Sequence, residues 1–207
     1  GTLSWEPFVE QTIAMARNVH KHRYRMGEGY HVAEDGTVTE NYWIEADDEG
    51  DAEEKHRKPY RIELVGVICD AYLAVVRGIR RAIYMGRAVR VKSQLRSHKK
   101  FAAAFPKYTH LVDNARLYCS NLAGEPPRLI AWKDRSSNLL VDEVEIKWLT
   151  SVAGLNDEAD CVFELYPRRD GLIDQAGSIW HDEVSDPERP NTRLQIATAV
   201  RKLHQTQ

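Results

Sequence analysis

Cysteine is scarce in this chain. Only Cys69, Cys119 and Cys161 occur among 207 residues. They lie far apart and form no Cys-x-x-Cys pair, which argues against a structural zinc ribbon. Three separate thiols fit a reduced, intracellular setting, cytoplasmic or nuclear, better than a disulfide framework. Long apolar runs are missing too. A membrane helix needs about 18 apolar residues or more, and the best run, LVGVICDAYLAVV (64–76), is shorter and holds Asp70. The opening GTLSWEPFVEQ has no basic or apolar leader region, so no signal peptide is expected. Gly1 in place of Met suggests a trimmed or excised chain, with residues that matter beyond it. No Walker-type or dinucleotide-type glycine loop occurs, and neither Gly-x-Ser-x-Gly nor His-Glu-x-x-His is found. Nucleotide-triphosphate hydrolysis and serine hydrolase chemistry lose support accordingly.

One absence is local. Between Ala71 and Val112 there is no Asp or Glu, while ten of the 29 basic residues fall there. All 31 acidic residues lie elsewhere, so a net charge of −2 conceals a strong asymmetry. Seven acids crowd into IEADDEGDAEE (44–54). Such an asymmetry bears on partners rather than on fold.

What is present describes a folded α+β chain. At 43% apolar and 29% charged residues, the chain can bury a core without staples. Ser4 is placed to cap a first helix, which should run to about Met26, where Gly-Glu-Gly intervenes. GYHVA and TVTENYWIE flank Glu-Asp-Gly, a hairpin signal with Gly36 free to take positive φ. From Leu64, apolar residues at helical spacing (Val65, Ile68, Tyr72, Val75, Val76, Ile79, Ile83) predict a long amphipathic helix with that face in the core. A bend near 91–93 should separate a second helix, stopped by Pro106, and Tyr108–Leu122 reads as a third. After Ala123–Pro127 the pattern becomes strand-like. RLIAWK and LLVDEVEIKWL flank a turn, CVFELYP is a further strand, and a C-terminal helix begins at Asn191 or Thr192. The expected architecture is an N-terminal helix and hairpin, central amphipathic helices, an antiparallel sheet from the C-terminal half, and a C-terminal helix. It reads as one domain over 1–207, with a weak boundary near 123–127.

Arg77, Arg80, Arg81 and Arg87 share a helix face with Tyr84, and Arg90, Lys92, Arg96, Lys99 and Lys100 extend it past the bend. An acid-free stripe of this kind suits phosphates or an acidic protein surface. The first expectation is therefore a non-enzymatic module that engages nucleic acid or an acidic protein through residues 76–100, with no cofactor and no metal. The competing internal reading is neutralisation by the 45–54 run.

Two shorter patterns support enzymatic alternatives. In VDEVEIKWL (141–149), Glu143, Glu145 and Lys147 alternate on an expected strand. The Glu-x-Lys run resembles the arm of PD-(D/E)xK nucleases. That resemblance implies Mg²⁺ held by carboxylates, with the Lys positioning water. The family's Asp on the preceding strand is missing. RNVHKH (17–22) resembles the Arg-x4-His signature of HEPN ribonucleases, which implies Arg17 and His22 as site residues. A third alternative is a structural subunit of a homo-oligomer or larger complex, because five Trp residues suit interface cores as well as interiors.

Overall fold

The computed structural model describes residues 2–46, 58–122, 125–167 and 178–205. Residues 47–54 of the acidic run therefore lie outside the described residues, as do two residues of the expected boundary, 123 and 124. The α+β class holds.

Helix α1 (Glu6–Asn18) is shorter than the sequence suggests. It starts after Trp5, with Pro7 in its first turn where a missing N–H costs nothing. The chain then turns into strand β1 (Tyr24–Val32), paired antiparallel with β2 (Val38–Glu45). The hairpin turn is as expected. Gly36 sits at φ +82°, and Asp35 Oδ1 accepts the Thr37 amide at 2.9 Å. The Gly-Glu-Gly read as a helix stop is instead a strand irregularity. The register slips between Met26 and Gly29, Gly29 has φ +76°, and a Cβ on Gly27 would fall 2.1 Å from Asn41 O. The hairpin leans on α1. Gln11 bridges the Glu40 carbonyl and the Tyr42 amide, Trp43 Nε1 donates to Thr12 Oγ1, and Phe8 stacks edge-on against Tyr42.

Residues 64–76 do not form one helix. Strand β3 (Glu63–Ile68) alternates in burial: Leu64, Gly66 and Ile68 point in while Val65 and Val67 stay exposed. Helix α2 (Ala71–Met85) follows, capped by Asp70 and ended by Gly86 at φ +64°. A short run of Val, Ile and Leu fits both periods, so this strand was hidden. Helix α3 (Val91–Leu111) passes through Pro106. Proline removes one helical hydrogen bond, but Ala102, Phe105, Tyr108 and Thr109 on both sides of it are buried and hold the helix. The expected third helix is split in turn. Its first residues belong to α3, and Asn114–Cys119 form strand β4.

Strand β4 pairs parallel with β3 and antiparallel with β5 (Arg128–Asp134), whose outer neighbour is the short β6 (Leu140–Val141). The sheet, ordered β3-β4-β5-β6, is therefore mixed. The two-helix crossover between β3 and β4 makes the parallel pair possible. Helix α4 (Lys147–Ala153) takes residues expected in a strand and buries Trp148, Leu149 and Val152 in the core. The expected strand at 161–167 is a 3₁₀ turn at Val162–Glu164, since β6 already lies on the free side of β5. A π-helical turn at Trp180–Val184 buries Trp180 against Tyr166. Helix α5 (Arg189–Gln205) closes the described chain.

Gly66 lies where the sheet meets α3. A Cβ there would come within 2.6 Å of Phe101 Cζ and 3.0 Å of Leu117 Cδ1. Gly66→Val should therefore overpack the core and cost about 1–3 kcal/mol in urea unfolding, despite the better strand propensity of Val.

Candidate functional site

The junction between β3 and α2 is built around a buried carboxylate. Asp70 has no exposed surface. Its Oδ1 accepts the amides of Tyr72 and Leu73, and its Oδ2 accepts the Tyr166 hydroxyl at 2.9 Å. The same hydroxyl accepts the Ala71 amide, and the Asp70 amide donates to Asn121 Oδ1 at 2.6 Å. Burial pushes the Asp70 pKa up, while the Tyr166 hydroxyl and the two amides oppose that shift. His98, from α3, lies 2.7 Å from the Cys69 carbonyl, and burial lowers its pKa. The Cys69 and Cys119 thiols beside it are pushed up to about 11 by burial, so both stay protonated. Cys161 alone is exposed.

Helix α2 leaves this junction with two unlike faces. At 100° per residue, Val76, Ile79 and Ile83 align along one side. They were expected in the core, yet they are 40%, 50% and 77% exposed, and Met85 is 71% exposed. Only Ala71, Leu73 and Gly78 of α2 are buried. Gly78 is the close contact with α3, since a Cβ there would meet the Gln94 side chain. Arg77, Arg81 and Tyr84 fall on another side, and Arg80 lies between them and the apolar row.

The structure sorts the ten cations of the acid-free window. Lys92 reaches Glu158 and Asp160, Arg96 reaches Asp157 and Glu158, and Lys99 reaches Asp157 at 2.8 Å. Lys99 is the main cause that holds the Asp157 carboxyl below its ordinary range. Lys107 pairs with Glu6 and Glu10. Lys100 lies over the Trp5 ring. Arg77 donates to the Ser120 carbonyl at 2.7 Å and to its hydroxyl at 2.8 Å. Arg80 stacks on Tyr84, and Arg80, Arg81, Arg87 and Arg90 have no carboxylate partner among the described residues. The nine-residue basic set thus divides. In its α3 part Lys92, Arg96 and Lys99 face carboxylates at 157–160, which sequence spacing did not suggest, while Arg80, Arg81, Arg87 and Arg90 of α2 and the 86–90 link meet no carboxylate among the described residues.

The nuclease arm is not assembled. Asp142 Oδ1 accepts the amides of Val144 and Glu145 and turns the chain into α4, so Glu143, Glu145 and Lys147 are not alternate residues of a strand. Glu145 is paired with Arg128 at 2.6 Å. No group of three His, Cys, Asp or Glu able to hold a metal ion occurs among the described residues. Arg17 of the Arg-x4-His run is held by the Leu111 carbonyl and by Asp113.

The fold and this surface define an α+β protein with an uncovered, basic, amphipathic helix. Comparison with known proteins finds a relative over the whole chain. The chain is 59% identical, over its whole length, to an Arabidopsis thaliana protein described as a calmodulin calcium-dependent NAD kinase. It spans 39% of that relative's length. No family model and no solved structure matches the chain. This likeness overturns the expectation of a non-enzymatic module and the nuclease alternative, because it points to an enzyme of another kind, and it leaves the nucleic-acid partner without support. Among the described residues no helix is long and apolar enough to cross a membrane, as expected.

Two outcomes test the junction. Tyr166→Phe leaves the Ala71 amide and Asp70 Oδ2 each short of a partner, and should cost roughly 2–3 kcal/mol in chemical denaturation. For His98, a folded pKa below the unfolded value of 6.5 means that protonation favours the unfolded chain. Its contribution is present above pH 6.5 and is lost as pH falls through the lowered folded pKa. His98→Gln should flatten that part of the stability profile.

Proposed function

We propose that this chain is part of an enzyme that phosphorylates NAD under the control of calcium and calmodulin, and that α2 is the calmodulin-docking element. Phosphoryl transfer to NAD is proposed for the protein as a whole, because the chain spans 39% of the relative that bears that name. The regulatory contact is proposed for this chain in particular. Its support is a single observation: a 15-residue helix with Val76, Ile79 and Ile83 exposed on one side, arginines beside them, and no acid from Ala71 to Val112.

Calmodulin grips basic amphipathic helices by their apolar anchors at i, i+3, i+4 and i+7. Ile79, Ile83 and Val76 have that spacing, and Tyr84 and Met85 add apolar surface at the helix end. Calcium opens a Met-rich groove in calmodulin, and the carboxylates of its EF-hands give the partner a negative surface. Arg80, Arg87 and Arg90, free of carboxylates among the described residues, are placed to meet it.

Titration calorimetry of the folded 207-residue chain with calmodulin tests this. Binding is expected in calcium and not in a calcium chelator. Ile79→Asp with Ile83→Asp should weaken it by at least about tenfold, the loss typical of removing central anchors, while circular dichroism shows the fold retained. Equal binding by the double variant, or binding that ignores calcium, would refute the docking element. In the whole protein the same pair should abolish the stimulation of NAD phosphorylation by calmodulin.

A further inference from the structure

A cleft of about 820 Å³ lies between α2, the 86–90 link, the start of α3 and the edge of β3. That volume is in the range of small-molecule sites. Its lining is divided by chemistry. Arg77 and Arg81 from α2, Arg87 from the link, and Ser93 and Ser97 from α3 all line it. The exposed Val67 and the buried Phe101 supply apolar surface. Arg77 is already tied to Ser120, so it frames the wall without being free to leave it. Arg81 and Arg87 have no carboxylate partner among the described residues. Lys92, Arg96 and Lys99, on the same stretch of helix outside the cleft, are all paired with carboxylates. Of the four arginines of the acid-free window with no carboxylate partner among the described residues, Arg81 and Arg87 line the cleft, while Arg80 and Arg90 lie outside it.

We propose that this cleft binds the diphosphate of a nucleotide, either a free nucleoside diphosphate or the same group within a dinucleotide. Arg81 and Arg87 take the phosphates, Ser93 and Ser97 donate hydroxyl hydrogen bonds, and the base lies against Val67 and Phe101. Guanidinium forks match phosphate oxygens in two places at once and hold them with charge-assisted bonds. A flat apolar ring beside them accounts for a pocket that is not cationic throughout. The inference rests on the reading that the whole protein phosphorylates NAD and not on the calmodulin contact, since Ile79 and Ile83 do not line the cleft and Arg87 alone is named in both.

Calorimetry of the folded chain with ADP, NAD and inorganic pyrophosphate, each carried to about 5 mM, decides it. ADP or NAD should bind more tightly than pyrophosphate, and whichever of the two binds identifies the source of the diphosphate. Arg81→Ala with Arg87→Ala should weaken binding at least about tenfold. Arg90→Ala, which removes an equally open cation outside the cleft, should change it less than about twofold. Circular dichroism and a thermal melt show whether each variant is folded. Should the double variant not fold, Ser93→Ala with Ser97→Ala replaces it and should weaken binding measurably. The proposal is overturned by no binding of ADP or NAD in this range, by affinity that survives loss of the arginines or of the serines, by equal loss in Arg90→Ala, or by pyrophosphate binding as tightly as both nucleotides. Ile79→Asp with Ile83→Asp should keep the ligand, so failure of the calmodulin reading and failure of this one leave different records.

Discussion

A buried carboxylate must be met by donors on every side or it neutralises and loses its purpose. Asp70 is met by two amides at the start of α2 and by one hydroxyl from residue 166, and its own amide is fixed by Asn121 beyond the end of β4. Four parts of the chain thereby share one point: the end of β3, the end of β4, the first turn of α2, and the segment around Tyr166. The direction in which α2 departs is set there and not along its length, because Ala71, Leu73 and Gly78 are its only buried residues. A helix held at its root and at one glycine contact can present most of its surface. That is the geometry a docking helix needs, and an ordinary core helix does without it.

Charge in this molecule is arranged by region. The acid-free window suggests one continuous cationic surface, but its two halves behave differently. Lys92, Arg96 and Lys99 are answered by Asp157, Glu158 and Asp160, about sixty residues away in sequence. Exposed ion pairs of this type contribute little singly, yet several on one helix stitch α3 to the turn beyond α4. Arg80 and Arg81 of α2 and Arg87 and Arg90 of its link have no carboxylate partner among the described residues. Neutralised and open charge therefore sit on consecutive helices of the same sequence stretch, and only the fold separates them.

Local chemistry made some of this legible from sequence. The Glu-Asp-Gly turn worked because Asp35, Gly36 and Thr37 satisfy one another within a few residues. The arginine stripe of α2 was readable because helical periodicity needs no knowledge of neighbours. Other elements depend on distant partners. Strand β3 is a strand because β4 lies beside it, and Leu64–Ile68 alone fit a helix as well. Asp70 was noticed only as a charge in an apolar run, although an Asp just before a helical pattern is a capping signal. Pro106 misled because burial on both sides outweighs its lost hydrogen bond. Alternating Glu143, Glu145 and Lys147 imitated a strand, while Asp142 in fact turns the chain into α4. Tyr166 and His98 carry no sequence signal of their role, since each acts through a backbone about thirty to a hundred residues away.

The largest misreading is also the most informative. Periodicity correctly gathered Val76, Ile79 and Ile83 on one face, and the inference that such a face is core follows from the usual behaviour of amphipathic helices. Here the face is real and the core is absent. Three aliphatic side chains and a methionine, each partly in water, forgo a share of the roughly 1.5–3 kcal/mol that full burial contributes. That share is recovered only when something covers them. A helix built wholly for stability would place polar residues there at no loss, since the arginine face already keeps α2 soluble. Retaining apolar anchors at i, i+3 and i+7 on an exposed, basic, acid-free helix is thus better explained by a partner that supplies the missing wall than by the needs of this fold.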